Sequence, residues 1–181
     1  MFLLEYFKME FRESQKFSQV WILLPFSLIG SVVIFIFGFG IYKQIICKIP
    51  FGNNPLSDHG LIITSLLILL LFVTLFLLFV SAHLEYRINE KGIEYRFFPF
   101  HMNSRRIQWS DIANFEIIKY NPLSDFGGWG IRYGKKSILY SVKGNKGLSI
   151  SLKSGKNIII GINKVSELEE YLENLKQIRS L

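Results

Sequence analysis

The stretches VWILLPFSLIGSVVIFIFGFGIY (Val20–Tyr42) and LIITSLLILLLFVTLFLLFVSA (Leu61–Ala82) are strongly apolar and contain no charged residue. A helix rises about 1.5 Å per residue, so roughly 20 such residues cross a hydrocarbon core about 30 Å thick. Both stretches meet that length and predict a helical hairpin in a membrane. The first lies behind a 19-residue tail and ends in bulky residues. A signal peptide has a shorter apolar core and a small-residue cleavage site, so Val20–Tyr42 reads as a retained span. Trp21 and Tyr42 bracket it where interfacial aromatics are expected.

Outward from the hairpin, the charge is uneven. The chain of 181 residues carries a net +7, and residues 83–181 hold 16 Lys/Arg against 10 Asp/Glu. Lys8, Arg12 and Lys16 precede the first span, and Arg87, Lys91 and Arg96 follow the second. The intervening loop, residues 43–60, holds Lys43 and Lys48. The positive-inside bias therefore favours both termini in the cytoplasm, with the loop outside an inner, cytoplasmic membrane. The tail, residues 1–19, mixes six charges with several aromatics. It reads either as an amphipathic helix along the membrane surface or, in its first eight residues, as sequence ahead of a start at Met9.

After Ala82 the hydrophobic period changes to two. Leu84, Tyr86 and Ile88, then Ile93, Tyr95 and Phe97, alternate with charged residues around the turn Asn89–Gly92, which is a hairpin pattern. Further short runs follow at 105–109, 114–120, 130–133, 137–142, 148–153 and 157–162, punctuated by Gly and Asn. About seven antiparallel strands are expected, closing into a small barrel. Val165, Leu168, Tyr171, Leu172, Leu175 and Ile178 then recur at helical spacing, with Ser166 and Glu169 placed as a capping box. The predicted class is α+β: tail (1–19), hairpin (20–82) and a cytoplasmic domain (83–181) closed by an amphipathic helix.

RINEKGIEYRF (Arg87–Phe97), IQWSDIANFEI (Ile107–Ile117), GGWGIR (Gly127–Arg132) and KGNKGLSISLKSGKNIIIG (Lys143–Gly161) together resemble the small bacterial two-span membrane proteins that carry a pleckstrin-homology-like (PH-like) domain. The resemblance covers residues 84–179 and the arrangement of the hairpin. It implies two bent antiparallel sheets with a terminal helix, and a Trp109-Ser110-Asp111-Ile112 corner between the third and fourth strands after the hairpin. Its motifs are structural, and it implies no catalytic residues.

Chemistry-bearing patterns are sparse. His59, His83 and His101 lack ligand spacing, and Cys47 is the single cysteine, so no metal or cofactor is expected. Cys47 reads as a small interfacial residue, with acyl attachment or an intermolecular disulfide as the alternative. Gly130–Ser137 lacks the spacing of a phosphate loop, and no G-x-S-x-G elbow occurs. Trp129, between glycines, reads as a core filler beside a bulge, with insertion into lipid or a partner as the rival; Arg132, Lys135 and Lys136 lie nearby. Arg105 and Arg106 form a basic pair, read as a solvated face rather than a complete phosphoinositide cluster. The charge is too diffuse for nucleic acid.

The expectation is a non-enzymatic, membrane-anchored PH-like module. Its partners would be the lipid bilayer and a protein, or a second copy of itself. The alternative is an accessory subunit of a transporter or export complex.

Overall fold

The computed structural model describes residues 10–17 and 20–179. They form two compact units: residues 20–81, and residues 10–17 together with 82–179.

The first unit is the hairpin. Helix α1 runs Val20–Ile41 and continues as a π-helical turn, Tyr42–Ile46; helix α2 runs Asp58–Ser81. Both are long and apolar enough to cross a membrane, and only 11% and 6% of their most apolar windows are buried. Leu28, Phe35, Leu70 and Leu77 are among the many large side chains left open. Where the helices meet, aromatic rings fill the space beside small residues. A Cβ at Gly30 would lie 2.7 Å from the Phe72 ring, and Phe26 packs against Phe72, Phe76 and Phe79. The hydroxyls of Ser31, Ser65 and Thr74 donate to carbonyls four residues earlier, which satisfies them without water. Beyond α1, the Gln44 amide donates to Leu56 O at 2.7 Å and to Asp58 Oδ1 at 2.9 Å, ordering the loop. Trp21, Lys176, Ile178 and Arg179 have side chains outside the described ones.

The second unit contains two sheets. Strands β1 (Phe11–Lys16), β2 (His83–Asn89), β3 (Gly92–Phe98) and β4 (Arg105–Gln108) form an antiparallel sheet in chain order. A 3₁₀ turn at Trp109–Asp111 carries the chain into β5 (Ile112–Lys119) of the second sheet. There Trp109 Nε1 donates to Asn89 O at 2.9 Å. The second sheet has the order β5-β8-β9-β7-β6, with β6 (Gly130–Tyr133), β7 (Ser137–Ser141), β8 (Lys146–Leu152) and β9 (Asn157–Gly161). A one-turn helix, α3 (Pro122–Phe126), precedes β6. Asn121 Oδ1 caps it, accepting from the N–H groups of Leu123 and Ser124, and Gly127 ends it in the left-handed region.

The core lies between the sheets. Leu84, Ile88, Ile93, Phe97, Leu148, Ile150 and Ile160 are almost fully enclosed, and Leu168 and Leu172 of α4 (Val165–Arg179) join them. Burying each such side chain contributes roughly 1.5–3 kcal/mol.

Three expectations change. The sheets do not close into a barrel, and β7 pairs with β9 in parallel. The tail does not run as a helix throughout, because Phe11–Lys16 is a strand paired with β2 from Phe11↔Ile88 to Lys16↔His83; residues 1–9, 18 and 19 lie outside the described residues. Ser166 does not cap α4. The helix starts at Val165, with Leu168 N–H donating to Lys164 O.

Candidate interaction surface

Strand alternation sorts the first sheet into an inner face, apolar except for Glu13 and Gln15 of β1, and a charged outer one. Arg12, Ser14 and Lys16 of β1 align with Arg87, Glu85 and His83 of β2; Glu94 and Arg96 of β3 follow, then Arg106 of β4. Five cationic side chains thus face three carboxylates, Glu10 just before β1, Glu85 and Glu94. Glu94 sits between two arginines, accepting from Arg106 Nε at 2.6 Å and meeting Arg87 Nε at 3.1 Å. Glu85 meets Arg96 Nη2 at 3.0 Å and His83 Nε2 at 3.5 Å. Glu94 is shared by two arginines while Glu85 and Glu10 meet one each, which holds the face in order yet leaves it net positive. Surface pairs of this kind are worth little in stability, so their consequence is electrostatic.

The six residues singled out in sequence fall into three environments. Arg106 lies on this outer face, bound to Glu94. Arg105, one position along β4, stands opposite Tyr95 and acts electrostatically on His101 and Tyr140. Trp129, Arg132, Lys135 and Lys136 gather on the other sheet, around β6 and its turn into β7. Arg132 Nε donates to Trp129 O at 3.0 Å, and Trp129 Nε1 donates to Gly144 O at 2.9 Å. Trp129 is half-buried and absent from the clusters between and behind the sheets. It ties two turns together at the surface. Lys135 and Lys136 are exposed.

Sequence reading missed the β3–β4 loop. Phe100 and Met102 are 72% and 73% exposed, while His101 between them is buried at 8%. The His101 N–H donates to Phe97 O at 2.8 Å, and its ring packs against Tyr95 and Tyr140. Burial, reinforced by Arg105, lowers its pKa below the usual imidazole value. Burial also raises the pKa of Tyr140, with Tyr95 adding to the effect. The available signal was the out-in-out pattern of Phe100-His101-Met102 directly after Pro99.

Among the described residues, no group of three or more His, Cys, Asp or Glu is placed to hold a metal ion. The fold thus defines a class: an α+β unit of two sheets and a helix, with an apolar helical hairpin inserted after its first strand. Comparison with family models, curated proteins and solved structures gave no match.

Proposed function

We propose that the chain is a membrane-anchored, non-enzymatic interaction module. Its two apolar helices cross the bilayer, and its two-sheet unit serves as a PH-like domain that docks on the anionic inner-leaflet surface or on a protein partner there. The observation carrying this reading is the pairing of β1 with β2 across the hairpin. These strands flank the apolar helices in the chain, and one sheet cannot be built from opposite sides of a bilayer. Both helices therefore cross or neither does. Their exposed apolar surface favours crossing, because monomeric soluble proteins rarely leave so much uncovered. The Lys/Arg bias then favours the cytoplasmic side.

The PH-like assignment is supported by the order of elements: a four-stranded antiparallel sheet, a tryptophan corner, a second sheet and a closing helix. The parallel β7–β9 pair and helix α3 depart from the implied pattern. The cationic outer face suits an anionic surface, each well-placed Lys or Arg adding about 1 kcal/mol of attraction.

Flotation with vesicles tests the reading, using a soluble form in which the hairpin is replaced by a short turn. Salt-sensitive binding to phosphatidylglycerol vesicles, absent from phosphatidylcholine vesicles, is expected. Failure to bind either, together with recovery of no partner from native membranes, would contradict it.

One observation favours the accessory-subunit reading. A cleft of about 180 Å³ opens between the helices at Val33, Phe37, Gly38, Ile62 and Ser65, and nothing lies within 4 Å of a Cβ built at Gly38. Such a small-residue face fits a partner helix. Co-purification with a larger integral protein, lost in Gly38→Leu, tests it.

A further inference from the structure

We propose that the β3–β4 loop is a lipid-insertion element, placing Phe100 and Met102 at the boundary between headgroups and acyl chains of the bilayer that holds α1 and α2. The proposal rests on the membrane-spanning reading of those helices.

Strand register carries the argument. Strand β1 ends at Lys16, four positions before α1 begins at Val20, and β2 begins at His83, two positions after α2 ends at Ser81. Lys16 pairs with His83 and His83 with Phe98, so these three residues line one end of the sheet. Phe17 N–H reaches Ala82 O there at 3.4 Å. The β3–β4 loop leaves from Phe98, at the end where the chain passes into both helices. The β2–β3 turn, with Glu90 and Lys91, lies at the opposite end.

The loop's own structure points two apolar side chains outward. His101 is drawn in by its backbone bond to Phe97 and by the Tyr95 and Tyr140 rings, which leaves Phe100 and Met102 on the outside. Among the described residues of this unit, Leu123 and Tyr133 are the other large apolar side chains with comparable exposure, and they stand singly. At the loop, two occur within three residues.

Charge completes the fit. Arg105 and Arg106 follow the loop directly, and Lys16 and Arg96 lie on the outer face near the same end. An apolar tip with a cationic collar matches an anionic bilayer in depth: acyl and glycerol layers for the tip, phosphates for the collar.

The test uses the full chain with Cys47→Ser, so that one introduced cysteine carries an environment-sensitive NBD label. The protein is reconstituted in phosphatidylcholine–phosphatidylglycerol vesicles containing nitroxide lipid. Labels are placed by Met102→Cys, by Lys91→Cys at the far end of the sheet, and by Leu70→Cys within α2. The proposal expects blue-shifted, quenchable emission at positions 102 and 70, and water-like, unquenched emission at 91. Quenching at 70 with a water-like signal at 102 would overturn the loop proposal and leave the spans intact. Quenching at 91 as strong as at 102 would overturn it too, because the contact would not belong to that end. A water-like signal at 70 would instead sink the membrane-spanning reading.

Discussion

The carboxylate of Glu13 accepts the Tyr86 hydroxyl at 2.9 Å, and one residue pair thereby locks the strand before the hairpin to the strand after it. The same carboxylate accepts the N–H groups of Asn163 and Lys164 at 2.9 and 3.2 Å, and Gln15 Nε2 at 2.6 Å. Gln15 Nε2 also donates to Gly161 O at 2.7 Å. Strand β1 therefore supplies partners to β2, to the end of β9 and to the start of α4. The negative charge at that helix start is favourable to its dipole. The Tyr86 hydroxyl titrates well above its usual range, chiefly through burial and then through the Glu13 charge.

Glu13 should be expensive to remove. Glu13→Ala leaves the Tyr86 hydroxyl and two backbone N–H groups without their acceptor, a loss of about 3 kcal/mol or more. Glu13→Gln keeps one acceptor oxygen but sets an amide donor among donors, so it should fall between. Chemical denaturation of the hairpin-free form measures both. A loss under about 1 kcal/mol for Glu13→Ala would remove the clasp role.

The two-sheet unit should fold without the hairpin. Since Phe17 and Ala82 lie side by side, joining them through Asn-Gly makes a two-residue β-hairpin turn. The shortened chain is expected to be soluble and to unfold cooperatively; starting it at Ala82, without β1, should give an aggregating or molten chain. Equal behaviour of the two would show β1 to be dispensable.

Acid should weaken this unit through His101. Its folded pKa is lowered, by burial first and Arg105 second, so the unfolded chain binds a proton more readily. The stability it contributes is complete above the ordinary imidazole value of about 6.5 and is lost as pH falls below that toward the lowered folded value. Among the described residues, Tyr95 and Tyr140 pack against its ring and the Arg105 charge acts on it. His101→Phe retains an aromatic ring between the tyrosines and should flatten the slope of stability between pH 7 and 5. An unchanged slope would assign the acid sensitivity elsewhere.

Gly92 should not tolerate a side chain. Its φ is 144°, and a Cβ there would lie 2.1 Å from the Ile107 carbonyl oxygen of the neighbouring strand. Gly92→Ala is expected to cost on the order of 2 kcal/mol or more by thermal melting. A neutral result would mean that β3 and β4 separate readily.

What could be read in the chain depended on how evenly each segment alternates. The strands after the hairpin were legible because Leu84, Tyr86 and Ile88, or Leu148, Ile150 and Leu152, occupy every second position. β1 escaped because two of its three inward positions hold Glu13 and Gln15, whose partners lie far along the chain and leave no local trace. The start of α4 was displaced for a related reason: the acceptor at its N-terminus comes from Glu13, not Ser166. Alternation says nothing of strand order, so the parallel β7–β9 pair and the open sheets were invisible. Asn121-Pro122 and Gly127 did carry a cap, a first-turn residue and a stop for α3, in a stretch too short to show a period. Among the candidate residues, the Arg106–Glu94 pair appears only once register places them opposite each other.

The most direct test of the account is the sidedness of the two ends. Epitope tags before Met1 and after Leu181 are challenged with protease in spheroplasts and in inverted membrane vesicles. Both tags protected in the former and both cleaved in the latter is the predicted result. A tag on each side of the membrane would contradict it, because β1 and β2 could not then share a sheet.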